Sequence, residues 1–392
     1  MPLAVSAGVL FEAAYPEVAG GWVPKLLVAQ RLARRPFHCD SEHSKGIVMN
    51  LQQLLGIELP IIQAPMAGVQ DSALAIAVSN AGGLGSLPCA MLAPDAIRAQ
   101  LSLLRAQTQG PYNVNFFCHR PPVPDPARET RWREALAPHY VEFSIDPAGI
   151  PAGPGRNPFS AEAADLLAEF KPAVVSFHFG LPAPELLARL RGWGPKILAS
   201  ATTVEEALWL EAHGVDAIIA QGLEAGGHRG IFASDDLGTQ AGTMALLPQV
   251  VRAVRLPVVA AGGIADARSV AAALTLGAAG VQVGTAYLLC PEATTSTVHR
   301  AALKSDAARH TALTNVITGR PARGIVNRVM RELGPMSPLA PAFPLATAAI
   351  APLRARAEAM GSGDFSPLWS GQNASGCKEI PAGELTRELA GV

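Results

Sequence analysis

The sequence predicts an α/β fold of the (β/α)8 barrel type, a TIM barrel, with an additional helical domain at its C-terminal end. Three observations predict it. From Leu59 onward, short apolar runs of strand length alternate with helical patterns, as they do where a parallel sheet is joined by helices. Eight such runs can be counted, the number that closes a barrel. The glycine pairs and histidines that could carry chemistry stand just past the ends of those runs, where a barrel gathers its site.

The eight runs are Ile61-Ala64, Leu84-Leu87, Tyr112-Phe116, Ala173-Phe177, Lys196-Ala199, Asp216-Ala220, Pro257-Ala261 and Gly280-Val283. Helices between them are punctuated in recognisable ways. Asp71 and Gly82 bracket the first, and Pro184 suits the first turn of the helix after the fourth run. Thr203 and Glu206 read as a T-x-x-E capping box, and Gly214 stops that helix after His213. Asp266 caps a further helix that Gly277 ends. A doubly wound open sheet is the alternative, weakened because no G-x-G-x-x-G opens a first helix.

The gap from Phe117 to Lys171 is proline-rich around Arg120-Pro126 and Pro147-Pro158. It predicts an extended loop over the barrel mouth, one helix around Arg128-Leu136, and a second loop. Pro291 to Val392 carries helical patterns and no convincing strand, with Arg320-Gly324 and Gly334-Pro344 expected as loops. The expected division is therefore an N-terminal extension over residues 1-48, a barrel over 49-290, and a helical domain over 291-392 that covers the substrate. Met49 is an alternative start, which would make the extension a mis-assigned leader or a poorly packed tail.

Composition bounds the function. A chain of 392 residues, 49% hydrophobic and 16% charged, buries a large core and is not disordered. With Lys+Arg 31 against Asp+Glu 32, its net charge of -1 offers no global field for nucleic acid or an anionic membrane. A small-molecule partner is expected instead. Five scattered cysteines without a CxxC pair argue against a disulfide framework or a bound metal, and point to a reducing, cytoplasmic setting. The charge-free stretch Ser269 to Pro291 is divided by Gly277 and Gly280 into a helix and a strand, so no membrane span is expected. Residues 1-48 lack the basic start of a signal peptide.

Past the sixth run lies Ala220-Gln221-Gly222-Leu223-Glu224-Ala225-Gly226-Gly227-His228-Arg229-Gly230, where a histidine embedded in glycine suggests a site. His228 suits proton abstraction from an activated carbon or recognition of an anion, because imidazole titrates near neutral pH. His178, after the fourth run, is expected at the mouth opposite that loop, either touching substrate or serving as a structural histidine. Gly262-Gly263 follow the seventh run and Gly284-Thr285 the eighth. Two glycine turns there either hold a phosphate-bearing cofactor through backbone N–H groups or are merely tight βα turns. Met66 and Asn115 could line an aromatic cofactor ring, Met66 packing and Asn115 hydrogen-bonding its polar edge; plain core packing is the other reading of Met66. His119 beside Cys118 is expected to support its loop, since neighbours on an extended segment point apart.

Five blocks in order carry a resemblance. They are Gln63-Ala64-Pro65-Met66-Ala67-Gly68, Asn113-Val114-Asn115-Phe116-Phe117-Cys118-His119-Arg120-Pro121, Ser176-Phe177-His178-Phe179-Gly180-Leu181-Pro182, Glu224-Ala225-Gly226-Gly227-His228-Arg229-Gly230 and Gly319-Arg320-Pro321-Ala322-Arg323-Gly324. From about Met49 onward the chain resembles the class I nitronate monooxygenases, formerly called 2-nitropropane dioxygenases. The resemblance implies noncovalent FMN, no metal, and O2-dependent oxidation of alkyl nitronates, above all propionate 3-nitronate, to a carbonyl product and nitrite. It implies His228 as the catalytic histidine and His178 in the active site. It implies FMN contacts at Asn115, Gln221, Gly226, Gly263 and Gln282 to Thr285, that is Gln282, Val283, Gly284 and Thr285, beside the contacts expected above of Met66 and Gly262.

A related FMN barrel could instead be an NAD(P)H-dependent reductase of quinones or enoyl thioesters, and a noncatalytic FMN binder is the third reading. A homodimer is compatible with the sequence, which does not itself fix an oligomeric state. The chain departs from the family where a Tyr-Pro-Leu segment followed by a second tyrosine and a lysine is expected. Here stand Phe343-Pro344-Leu345, Thr347 and Ala351, and Asn157 replaces a further tyrosine. A carboxylate-bearing nitronate would find fewer donors.

Overall fold

Apolar runs that must be buried on both faces become parallel strands, and all eight expected runs do so. They are β1 (Ile61–Gln63), β2 (Gly85–Pro88), β3 (Tyr112–Phe117), β4 (Val174–His178), β5 (Lys196–Ala201), β6 (Ala217–Gln221), β8 (Val258–Ala261) and β9 (Gly280–Val283); β7 (Gly227–His228) lies outside this sheet. The structure is a computed structural model that describes residues 50–150 and 156–392. The extension expected over residues 1–48 lies outside the described residues, as does the middle of the Pro147–Pro158 loop.

Strand order is β1-β9-β8-β6-β5-β4-β3-β2, each neighbouring pair parallel. A parallel bridge between Ile62 and Leu84 joins the two ends, with the Leu84 N–H donating to Ile61 O at 2.9 Å and the Gln63 N–H to Leu84 O at 2.9 Å. The expected (β/α)8 barrel is thus borne out.

Period-two alternation sorts each strand between the inside and the helical shell. Inward Val174, Leu198, Ala217, Ile219 and Val259 form one buried cluster with Leu51, Leu54 and Leu55 of the short helix Leu51–Leu55, which plugs the interior. Outward Val175, Ile197, Ile218, Val258 and Val281 join the larger core beneath the helices. Farther along the strands the interior turns polar. Asn113 donates through Nδ2 to Ser86 Oγ (3.0 Å) and Ser176 Oγ (2.9 Å), and Asn115 donates to Ser176 Oγ (2.9 Å). The polar layer marks the end of the barrel where the site lies.

Helix punctuation holds in most places. Asp71 caps Ser72–Asn80 and Asp266 caps Ala267–Thr275, while Pro184 opens Pro184–Arg191. The proposed T-x-x-E box does not close: Thr203 Oγ1 accepts from the Glu206 N–H, but the Glu206 carboxylate turns elsewhere. Fully buried, it accepts from Thr202 N–H and Oγ1 at 2.7 Å and from the N–H groups of Phe232 (2.5 Å) and Ala233 (3.0 Å). A cap on the helix gave way to a tie on the loop beyond His228.

The C-terminal region departs from expectation. Thr311–Thr314 (β10) and Ala322–Ile325 (β11) pair antiparallel, and β11 also pairs with β7, placing Ala322 opposite His228 and Arg323 opposite Gly227. Residues expected as a loop, Arg320-Gly324, therefore contain most of a strand. Four-residue segments such as Thr-Ala-Leu-Thr and Ala-Arg-Gly-Ile show too little alternation to reveal themselves; the pairing partner makes them strands. The helix in the long gap spans Pro126–Glu142, longer than expected. It packs on Ala346–Ala359, Trp132 Nε1 donating to Ala346 O (3.3 Å) and Tyr140 Oη to Ala349 O (2.6 Å).

Candidate active site

Glycine density around His228 is explained by close approach. The ring of His178 lies so near Gly230 that a Cβ there would sit 2.9 Å from His178 Cε1. The two histidines are neighbours, rather than facing each other across the mouth as expected, because the loop after β6 folds back over the end of β4. His178 Nε2 donates to His228 O at 3.1 Å, and Gln221 Nε2 donates to the same oxygen at 3.0 Å. A carbonyl only accepts, so neutral His178 carries its proton on Nε2 and Nδ1 accepts from Ser200 Oγ at 3.0 Å. Both nitrogens of His178 are thus committed to the protein. Gln221 is committed too, its Oε1 accepting from the Gly230 N–H at 2.7 Å.

His228 is held by its main chain to β11 and by Nε2 to Thr318 Oγ1 at 2.9 Å. Its Nδ1 makes no hydrogen bond among the described residues, and the side chain lines a cavity. Burial lowers its pKa well below the usual value, and positive charge on Arg156 and Arg320 together with His178 and His119 lowers it further. Next in sequence, Arg229 is fully buried and donates to Gly222 O (2.6 Å), Gln221 O (2.8 Å) and Gln240 Oε1 (3.1 Å).

The cavity at this end of the barrel encloses about 1330 Å³, its open mouth included. Of the residues expected in a site, Met66, Asn115, His178, Gln221, Gly226, His228, Gly262, Gly263, Gln282, Gly284 and Thr285 line it. Val283 does not. Gln282 points inward, so its neighbour points outward by the strand alternation and packs in the core beneath the helices. Phe343, Thr347 and Ala351 are all absent from the lining, although the buried Phe343 ring lies 5.3 Å from that of His228 between centroids. Cys118 is half-buried, and desolvation by its surroundings pushes its thiol up and away from the reactive thiolate.

Several lining residues escaped sequence reasoning. Trp369, Gly371 and Asn373 come from an irregular segment with no periodicity to announce it. The segment ties the two glycine turns together: Asn373 Nδ2 donates to Gly263 O (3.1 Å) and the Gly371 N–H to Thr285 Oγ1 (2.9 Å). His299 also lines the cavity, and its Nε2 donates to Trp369 O at 3.1 Å. Arg156 enters from the proline-rich gap.

A cofactor fit can be tested on Gln282. One end of its amide, Oε1, is buried and has no hydrogen-bond partner among the described residues. An acceptor stranded on a cavity wall suits the N–H or O–H donors of a flavin or its ribityl chain. The main-chain turns at Gly262-Gly263 and Gly284-Thr285 add a phosphate-compatible end without any lining carboxylate.

Buried neutral histidines carry a pH signature. Burial lowers His178 and His299 to about 4 from 6.5, mainly through the desolvation cost of the charged ring. Because the folded pKa is the lower one, the unfolded chain binds more protons between pH 6.5 and 4. Stability is therefore complete above about pH 6.5 and falls as pH drops, by about 1.4 kcal/mol per pH unit for each ring. Urea midpoints should stay level from pH 8 to 7, then decline steeply, and the His178→Gln/His299→Gln double variant should decline less. A wild-type curve level down to pH 5 would contradict the burial.

Residues 49–391 match the family model described as nitronate monooxygenase. A nitronate monooxygenase of Pseudomonas aeruginosa is 46% identical over 345 residues, covering 86% of this chain and 97% of that one. The solved nitroalkane oxidase from Streptomyces ansochromogenes is 41% identical, with a TM-score of 0.79 over 87% of this chain and 96% of that one. FabK from Thermotoga maritima is 28% identical, with a TM-score of 0.64 over 86% and 93%. Among the described residues no helix is long and apolar enough to cross a membrane. On a match spanning nearly the whole described chain, this protein belongs to the nitronate monooxygenase family of flavin-dependent oxidoreductases.

Proposed function

We propose that the chain oxidises alkyl nitronates with FMN and O2, giving a carbonyl product and nitrite, with propionate 3-nitronate among its substrates. The observation that carries the reading is the neutral, main-chain-clamped His228 on a flavin-sized cavity, with Nδ1 left without a protein partner. The chemistry FMN supplies when bound is acceptance of electrons from the nitronate and their delivery to O2. Backbone N–H groups of the two glycine turns would hold its phosphate, Gln282 and Asn115 would meet its polar groups, and Met66 would pack on the ring.

His228 works on the substrate. Presented with a neutral nitroalkane, Nδ1 takes the proton from the carbon bearing the nitro group, and the imidazolium then lies beside the nitronate it has made. Presented with a nitronate, the same ring positions the anion. His178 and Gln221 fix the His228 main chain from one side while Thr318 fixes the ring from another, so the base is held without a carboxylate. Apolar Met66, Ile264 and Leu288 on the cavity wall admit O2 and exclude water.

Likeness to FabK favours one second reading, an NAD(P)H-dependent flavin reductase. One assay separates the two. The purified protein should show a bound-flavin spectrum, release nitrite and consume O2 with propionate 3-nitronate. Anaerobic flavin bleaching by NADH but not by the nitronate would favour the reductase, and a colourless protein that FMN cannot reconstitute would overturn both.

A further inference from the structure

Arg156 is a charge without a counter-charge. Its side chain lines the cavity, and its Nη1 is shielded from solvent with no hydrogen-bond partner among the described residues. Among the described residues lining that cavity there is no aspartate, glutamate, lysine or second arginine. The guanidinium stacks over the Phe343 ring, 5.3 Å from its centroid, and Phe343 in turn lies 5.3 Å from His228 between ring centroids. Arg320 also lies over a phenylalanine, Phe179, and its Nε is likewise buried without a partner among the described residues, but it donates to Ile231 O and does not line the cavity. Burial depresses Arg156 to about 10 and Arg354 adds repulsion, yet the group stays cationic at neutral pH.

Its position is built by its neighbours. Three residues on, the Phe159 N–H donates to Phe117 O at 2.8 Å, and the Phe159 ring packs on Phe116 (4.9 Å) and Phe177 (5.4 Å). The segment that carries Arg156 is thus anchored to the ends of β3 and β4, beside the catalytic histidine. An unpaired guanidinium in a low-dielectric cavity is unfavourable in the free protein and becomes favourable when a planar anion takes up its donors.

We propose that Arg156 is the anion-recognising residue of the substrate pocket, selecting nitronates that carry a carboxylate on the end remote from the nitronate. The proposal rests on the nitronate-oxidising reading above and adds the residue that sets preference within it. It also gives the phenylalanine at 343 a part, since its ring offers the guanidinium a stacking face.

The test compares kcat/KM for propionate 3-nitronate with that for ethyl nitronate, which has no carboxylate, in wild type, Arg156→Met and Arg156→Lys holoenzymes. Loss of a charge-assisted pair predicts a preference ratio lowered about 100-fold in Arg156→Met, carried by KM, and partly restored in Arg156→Lys. An unchanged ratio would overturn the proposal. Calorimetric titration of the holoenzymes with succinate, which presents carboxylates and cannot form a nitronate, gives a readout without turnover. Binding to wild type and loss in Arg156→Met is expected; no binding to wild type, or equal binding to both, would overturn it. If neither nitronate is turned over by wild type, the oxygenase reading fails while the succinate titration still decides the role of Arg156. Should Arg156→Met not fold, Arg156→Lys carries the comparison, with weaker succinate binding and a lowered ratio expected.

Discussion

His228→Asn leaves the fold intact and lowers kcat/KM for neutral nitroethane roughly 10²- to 10⁴-fold, the span expected when a positioned general base is removed. For ethyl nitronate, already deprotonated, the loss is far smaller. The contrast follows from the site: the main chain of residue 228 is held by β11, His178 and Gln221 whatever its side chain, while Nδ1 alone is offered to substrate. Steady-state nitrite release with both substrates measures it. Equal losses for the two would mean that His228 orients the nitronate and takes no proton, and full activity on both would remove it from the mechanism.

The largest stability loss is expected at Arg229, next to that histidine. Arg229→Met strands two buried acceptors, Gln221 O and Gln240 Oε1, each of which costs about 1 kcal/mol or more without a donor, and takes one of two donors from Gly222 O, which keeps the Ala225 N–H at 3.1 Å. Relief of the buried charge offsets part of this, leaving about 2 kcal/mol, measurable as a lowered urea midpoint. By contrast Arg98, paired with Glu169 through side chains that are about half exposed, should tolerate alanine with no measurable loss, because solvent screens the pair. If the two substitutions proved equally mild, the buried guanidinium would not be the tie that shapes the loop.

Legibility in the sequence followed physical constraint. Strands buried on both faces had to be continuous apolar runs, so β1 to β6, β8 and β9 could be read directly. At the strand ends the resemblance implied Gln282 and Val283 alike; strand alternation turns the Gln282 side chain into the cavity and that of Val283 into the core, a distinction parity alone makes. Glycine around His228 was legible because each one answers a constraint: Gly230 packs on the His178 ring, Gly226 on the main chain of Ser370 and Gly371, and Gly227 has a φ of +71°. What could not be read depended on partners far along the chain. β11 is a strand only because β7 and β10 flank it. Thr318 gains meaning from a histidine 90 positions away, and Arg156 from a cavity that its own proline-rich segment does nothing to advertise.

The pairing of β7 with β11 has a consequence for synthesis. The strands that carry the cofactor turns are complete once β9 ends at Val283, but the chain must grow through Thr318, Ala322 and Trp369 before His228 has its neighbours. Gly371 and Asn373, which tie the two glycine turns, are made later still. The hold on the base and the ties on the cofactor turns are therefore completed together, late in synthesis, and a chain that stops before Trp369 lacks both.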